Sequence, residues 1–193
     1  MQRRAVFGLF LLPLARGQGT CAPTPPLTQG PYYPRDVPQT EDLREGLPGV
    51  PLRLLLRVRD RACRPLQGAR VDLWHTDALG RYSGVNAPGT FCRGWQATDE
   101  RGEVAFLTLF PGWYPSRTPH LHLRVEAGGR VFAPQLFCPE EVQRQVYALP
   151  PYRERGMPRV NNRQDGLFRA DLLLRLEREG EAYRGAFVLT LPG

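Results

Sequence analysis

Lysine and isoleucine are both absent from this chain of 193 residues, so all 26 of its basic residues are arginine. The two absences together read as codon bias in a GC-rich genome, which weakens any argument from charge. The net charge of +7 would otherwise invite a nucleic-acid partner. The arginines, however, are scattered among 19 acids rather than gathered into a patch, and we expect no nucleic-acid partner. Serine occurs only at Ser83 and Ser116, neither in a G-x-S-x-G setting, which argues against a serine hydrolase. The four cysteines, Cys21, Cys63, Cys92 and Cys138, form no C-x-x-C pair, which disfavours a zinc knuckle. The apolar run Ala5–Ala15 is too short to span a bilayer and contains Pro13, so no stable membrane span is expected.

What is present points to one globular domain. Apolar residues make up 41% and charged residues 23% of the chain, a balance able to support a core. Glycine and proline number 20 each, which suits short strands joined by turns better than long helices. The start reads Met1-Gln2-Arg3-Arg4, then the apolar run, then small residues, the pattern of a secretory signal peptide. We expect a signal at residues 1–19, a domain at 20–193, and export to a secreted, periplasmic or cell-surface location. In such a compartment four cysteines suggest two disulfides, with three pairings open.

Alternating or apolar-rich runs recur between turn residues, at Leu52–Val58, Arg70–Trp74, Val104–Phe110, His120–Glu126 and Val131–Phe137. Phe168–Leu176 and Ala186–Leu191 read as a terminal hairpin. Only Pro139–Tyr147 has a helical pattern, and Pro150–Gly166 reads as a long polar loop of the functional or disordered kind. The prediction is all-β: an antiparallel sandwich of roughly seven to nine strands with one short helix and long loops.

Two of the three histidines, His120 and His122, stand two apart in "PGWYPSRTPHLHLRV". On a strand they share a face, with Leu121 and Leu123 on the other. The pair alone is equally compatible with half a metal site and with two hydrogen-bonded strand histidines. Tyr114 is presented by the turn just before this strand, and Tyr82 follows a Leu79-Gly80 turn that can bring it to the same end. Tyrosine ionises near pH 10, so it serves as a ligand at neutral pH only to a strongly Lewis-acidic ion, and ferric iron is such an ion. A copper site using His120 and His122 alone is the competing metal reading. His75 fits either a role in orienting a ligand or substrate or that of a satisfied edge histidine.

These residues lie within longer stretches that resemble the intradiol ring-cleavage dioxygenases, in particular their short, secreted members. The stretches are "TQGPYYP" (Thr28–Pro34), "CRPLQGARVDLWHTDALGRYSGV" (Cys63–Val85), "FCRGWQATDERGEVAFLTLFPGWYPSRTPHLHLRV" (Phe91–Val125) and "APQLF" (Ala133–Phe137), with "YALPPYRERG" and "NNRQDGLF" further on. The resemblance implies a β-sandwich with one non-haem Fe(III) held by Tyr82, Tyr114, His120 and His122. It implies that Tyr114 is the ligand released when substrate arrives and that Arg117 faces the substrate. Gln135 is implied near the oxygen side, and Gly30 and Pro31 along the substrate pocket. The implied reaction is cleavage of a catechol ring with O2 between its two hydroxyl-bearing carbons, giving a muconate-type diacid. Gln29 and Thr76 depart from the pattern, standing where relatives commonly carry glutamate and cysteine. The helical dimerisation segment of the larger members is missing too, so a homo-oligomer is left open without a mode. The alternative is a secreted, non-catalytic sandwich that binds aromatic or cell-wall ligands.

Overall fold

The computed structural model describes residues 20–33 and 36–192. The expected signal peptide lies outside the described residues. Among the described residues nine strands form two sheets, within the seven to nine strands expected. The first sheet has the order β4-β1-β9-β8 and contains β1 (Pro51–Arg59), β4 (Glu103–Leu109), β8 (Arg175–Glu179) and β9 (Ala182–Thr190). Within it β1 and β9 run parallel, a local departure from the antiparallel sandwich expected, and the other pairs run antiparallel. The second sheet has the order β3-β2-β5-β6, from β2 (Arg70–Trp74), β3 (Arg93–Ala97), β5 (His120–Ala127) and β6 (Arg130–Phe132), and β7 (Gln135–Phe137) also pairs with β5.

Leu52, Leu54, Leu56 and Val58 of β1 alternate with exposed or half-exposed residues and point into the same core as Val71, Leu73, Leu121, Leu123 and Val125 of the second sheet. That interlayer core leaves the opposite face of β2 and β5 to carry Asp72, Trp74, His120, His122 and Arg124. The short helix α1 (Glu140–Val146) follows Pro139, with Glu140 and Glu141 in its first turn, where the helix dipole favours anions.

Several boundaries differ from expectation for local reasons. The run 131–137 is two strands, because Pro134 has no N–H for the ladder. β3 escapes a search for alternation, since Gly94 is pressed so closely on Leu43 that a Cβ there would lie 2.3 Å from Leu43 Cδ2. In the terminal segment, Ala170–Leu172 is a 3-10 turn and the hairpin begins at Arg175. The long loop 150–166 is firmly held. Tyr152 is buried, donating its hydroxyl to the Phe110 carbonyl while accepting from the Val50 amide, and Asn161 caps a 3-10 turn at Asn162–Gln164.

The expectation of two disulfides is corrected. Cys21 pairs with Cys63, 42 residues apart, while Cys92 and Cys138 are buried free thiols. They cannot meet, because Cys138 belongs to the main core and Cys92 to a smaller cluster with Phe91 and Leu109. Burial pushes both thiols up, so they act as small apolar fillers.

Candidate active site

The site lies on the outward face of β5, where pairing sets three side chains in a row. His122 is opposite Trp74 on β2 and Gln135 on β7, and His120 is opposite Phe137. The Trp74 ring stacks on the His122 ring at 5.0 Å with an interplanar angle of 10°, fixing its tilt. The His120 Nδ1–H donates to the Thr118 carbonyl at 2.6 Å, which leaves Nε2 with its lone pair aimed outward.

Two turns bring the tyrosines to these rings. Asp77 organises the first by accepting from the amides of Leu79 and Arg81 and pairing with the Arg81 guanidinium. The second runs through Pro111-Gly112-Trp113. They meet without side chains between them. A Cβ on Gly80 would lie 2.1 Å from the Trp113 carbonyl oxygen, and one on Gly112 would lie 2.3 Å from that of Asp77. The Thr76 hydroxyl donates to the Gly112 carbonyl, and Arg155 covers the junction, stacking on Trp113 and donating to the Leu79 carbonyl. Glycine at both positions is therefore what lets Tyr82 and Tyr114 converge.

Converge they do. The His120 and His122 Nε2 atoms are 3.0 Å apart, the Tyr82 hydroxyl is 3.2 Å from His122 Nε2, and the Tyr114 hydroxyl is 3.4 Å from His120 Nε2. Such separations are those of donors sharing one ion at metal–ligand distances of about 2.0–2.1 Å. Burial holds the His120 imidazolium pKa down at about 3 and that of His122 lower than its ordinary value, so both rings are neutral. Two neutral imidazoles facing Nε2 to Nε2 place at least one lone pair in the shared space, which suits a cation there. The buried His122 Nδ1 has no hydrogen-bond partner, consistent with a ring oriented by stacking and by what lies at Nε2. Among the described residues no three His, Cys, Asp or Glu side chains gather as metal ligands, so a metal here depends on the phenols. Burial pushes both phenols up, Tyr82 the more strongly, while the Arg117 charge opposes the rise at both and ranks higher among the causes at Tyr114. The donor set thus fits a highly charged, oxygen-seeking ion that can displace phenolic protons.

The remaining residues named from sequence fall around this cluster. Arg117 closes a tight turn from Tyr114, its amide donating to the Tyr114 carbonyl, and its positive charge favours the Tyr114 phenolate. The guanidinium Nη2 also donates to Gln135 Oε1 at 2.7 Å, and Gln135 Nε2 donates to the Thr28 carbonyl at 2.8 Å. That last bond ties down an N-terminal strap. The strap is further held by Cys21–Cys63, by bonds between Thr24 and Thr190, and by Leu27 donating to Ala133. It carries Gly30 over the site, where a Cβ would stand 3.5 Å from His122 Cε1, followed by exposed Pro31.

Two residues at the site had escaped sequence reasoning. Tyr32 places its ring 4.9 Å from that of Tyr82 and 6.3 Å from that of Tyr114, forming an aromatic wall. Asp165 pairs with Arg117 at 2.8 Å from 48 residues away, a contact that no local pattern signals. His75 stays outside the cluster. Its ring nitrogens are both satisfied, at 2.7 Å from the Thr76 carbonyl and 2.7 Å from the Thr108 hydroxyl. A groove of about 500 Å³ on the outward face of the first sheet, lined by Leu55, Arg57, Arg175 and Val188 among others, includes none of the site residues.

This fold and this face define a class. A protein-family model described as Dioxygenase matches residues 28–132, more than half of the chain, and the chain belongs to the intradiol ring-cleavage dioxygenase family. An intradiol ring-cleavage dioxygenase from Tetranychus urticae superimposes with a TM-score of 0.82 at 31% identity, covering 88% of this chain and 94% of that one. The dioxygenase domain of a dioxygenase carbohydrate-binding protein fusion from Streptomyces sp. SirexAA-E matches at 35% identity with a TM-score of 0.73, covering 88% and 98%. Chlorocatechol 1,2-dioxygenase of Pseudomonas putida is 31% identical over 127 residues, 54% of this chain and 49% of its own length. The chain spans about half the length of the curated relatives it matches.

Proposed function

We propose that this chain is an exported, non-haem Fe(III) dioxygenase that cleaves a catechol between its two hydroxyl-bearing carbons, incorporating O2 to give a muconate-type diacid. The observation that carries the proposal is the convergence of two phenols and two neutral imidazoles within 3.0–3.4 Å of one another. Tyr82, Tyr114, His120 and His122 would hold the iron. When bound, ferric iron supplies a Lewis acid that chelates both catechol oxygens and opens the ring to attack by O2.

The chain's own residues do the rest. Tyr114 is half-exposed and adjoins Arg117, whereas Tyr82 is buried against His122, so Tyr114 is the phenol that can swing away. Leaving as a phenol, it removes one catechol proton. The permanently charged Arg117 stabilises negative charge on the ring oxygens. Gln135 holds the Arg117 fork on one side and the strap on the other, while Gly30 and Pro31 border the substrate. Membership of the family and the intact six-residue set support turnover rather than mere binding, and the Cys21–Cys63 disulfide supports an oxidising, exported setting.

Two measurements test the proposal. Iron-loaded protein is expected to be coloured by tyrosinate-to-iron charge transfer and to consume O2 with a panel of substituted catechols. Protein that stays colourless on loading would sink the ligand assignment, and catechol affinity without O2 uptake would leave a binding module.

A further inference from the structure

Arg117 is gripped from behind as well as used in front. Its Nε donates to both carboxylate oxygens of Asp165, at 3.0 and 2.8 Å. Asp165 is itself immobilised, accepting from the Thr118 amide at 3.0 Å and the Leu167 amide at 2.9 Å with its side chain wholly buried. A guanidinium is a planar fork, and seizing it by Nε fixes the plane while leaving the two terminal nitrogens for other work. One of them meets Gln135. The same carboxylate holds the backbone of Thr118, whose carbonyl orients the His120 ring.

We propose that Asp165 is a positioning residue, acting through Arg117: it locks the guanidinium onto Gln135 on the Tyr114 side of the site, so that its charge is in place when Tyr114 leaves. The assignment rests on the dioxygenase reading above. It also explains how a cation whose side chain is only 14% exposed is tolerated beside two neutral imidazoles, since a fully buried carboxylate at 2.8 Å offsets its charge.

A structural role alone, pinning the loop around residues 161–168, predicts something different. O2 uptake is therefore compared in the iron-loaded full chain for D165N, R117M and the double variant. We expect D165N to lower kcat by roughly 10- to 100-fold with KM changed far less, the range seen when an outer support is lost. In the R117M background the same change should have little further effect, because Asp165 acts through Arg117. Equal losses in both backgrounds, or an unchanged kcat, would overturn the proposal. Should D165N not fold, D165E keeps the charge but displaces the carboxylate by one methylene, and an unchanged kcat there is equally fatal. A readout without turnover separates this idea from the activity it rests on. Arginine side-chain NMR should show a protected Arg117 Nε–H, assigned by its absence in R117M and lost in D165A, which has no side-chain acceptor. Persistence of that protection in D165A overturns the link. If no catechol is consumed by the unaltered protein, the dioxygenase reading fails, and this spectrum alone decides between Asp165 and no role.

Discussion

The two tyrosines of the site are chemically the same residue in different surroundings, and on the proposed reading that difference divides their work. Tyr82 is deeply buried and its phenol sits against His122, so its ionisation without a cation is the less favourable of the two. Tyr114 is half-exposed and has Arg117 beside it, which makes both its ionisation and its departure easier. Tyr82→Phe should therefore weaken iron binding by at least about 100-fold, more than the loss of an outer support would, as read by metal analysis after dialysis. Tyr114→Phe should hold iron better than Tyr82→Phe yet lose most of its turnover. Equal iron loss in both variants would contradict the division of roles. At this scale the sequence was informative: His120, His122, Tyr82, Tyr114, Arg117 and Gln135 are all brought together. Asp165 was not legible, because its partner lies across a loop that no periodicity organises.

Elements contribute by standing close. Strand β5 could be read from the alternation in "HLHLRV", and its register against β2 and β7 then aligns Trp74, His122 and Gln135 without further information. Strand β3 could not, since a glycine packed against Leu43 replaces the apolar residue a pattern search needs. The contact of the two tyrosine turns was equally invisible, being made by glycines whose meaning appears only when the turns meet. Gly112→Ala tests it. The added methyl would face backbone atoms rather than a flexible side chain, with Asp77 O at 2.3 Å and the Gly80 amide at 2.6 Å, so the turns must part. A loss of about 1–3 kcal/mol or more in chemical denaturation is expected, accompanied by reduced iron retention. A variant as stable and as metal-retentive as the parent would show that the turns have slack.

For the molecule as a whole, composition gave the class of fold, but cysteine count overstated the cross-links, because parity says nothing about which core a thiol packs in. The buried charge balance was also beyond the sequence, and it makes stability depend on pH. His75 is 1% exposed, with both ring nitrogens engaged by the Thr76 carbonyl and the Thr108 hydroxyl. Burial lowers its pKa from 6.5 to about 4, against smaller opposing effects of the Thr76 bond and Asp77. The folded value is depressed, so below about pH 6.5 the unfolded chain takes up a proton that the folded chain refuses until about pH 4. His75 therefore stabilises the fold fully above pH 6.5, and this contribution is lost as the pH falls towards 4. A shift of that size corresponds to roughly 3 kcal/mol at about 1.4 kcal/mol per pKa unit. Denaturant midpoints of the full chain and of His75→Asn, measured from pH 7 to pH 4, isolate the effect, since the variant lacks the proton uptake whatever its stability at pH 7. The parent should lose about 3 kcal/mol more than the variant across that window, and parallel pH profiles would place the acid sensitivity elsewhere.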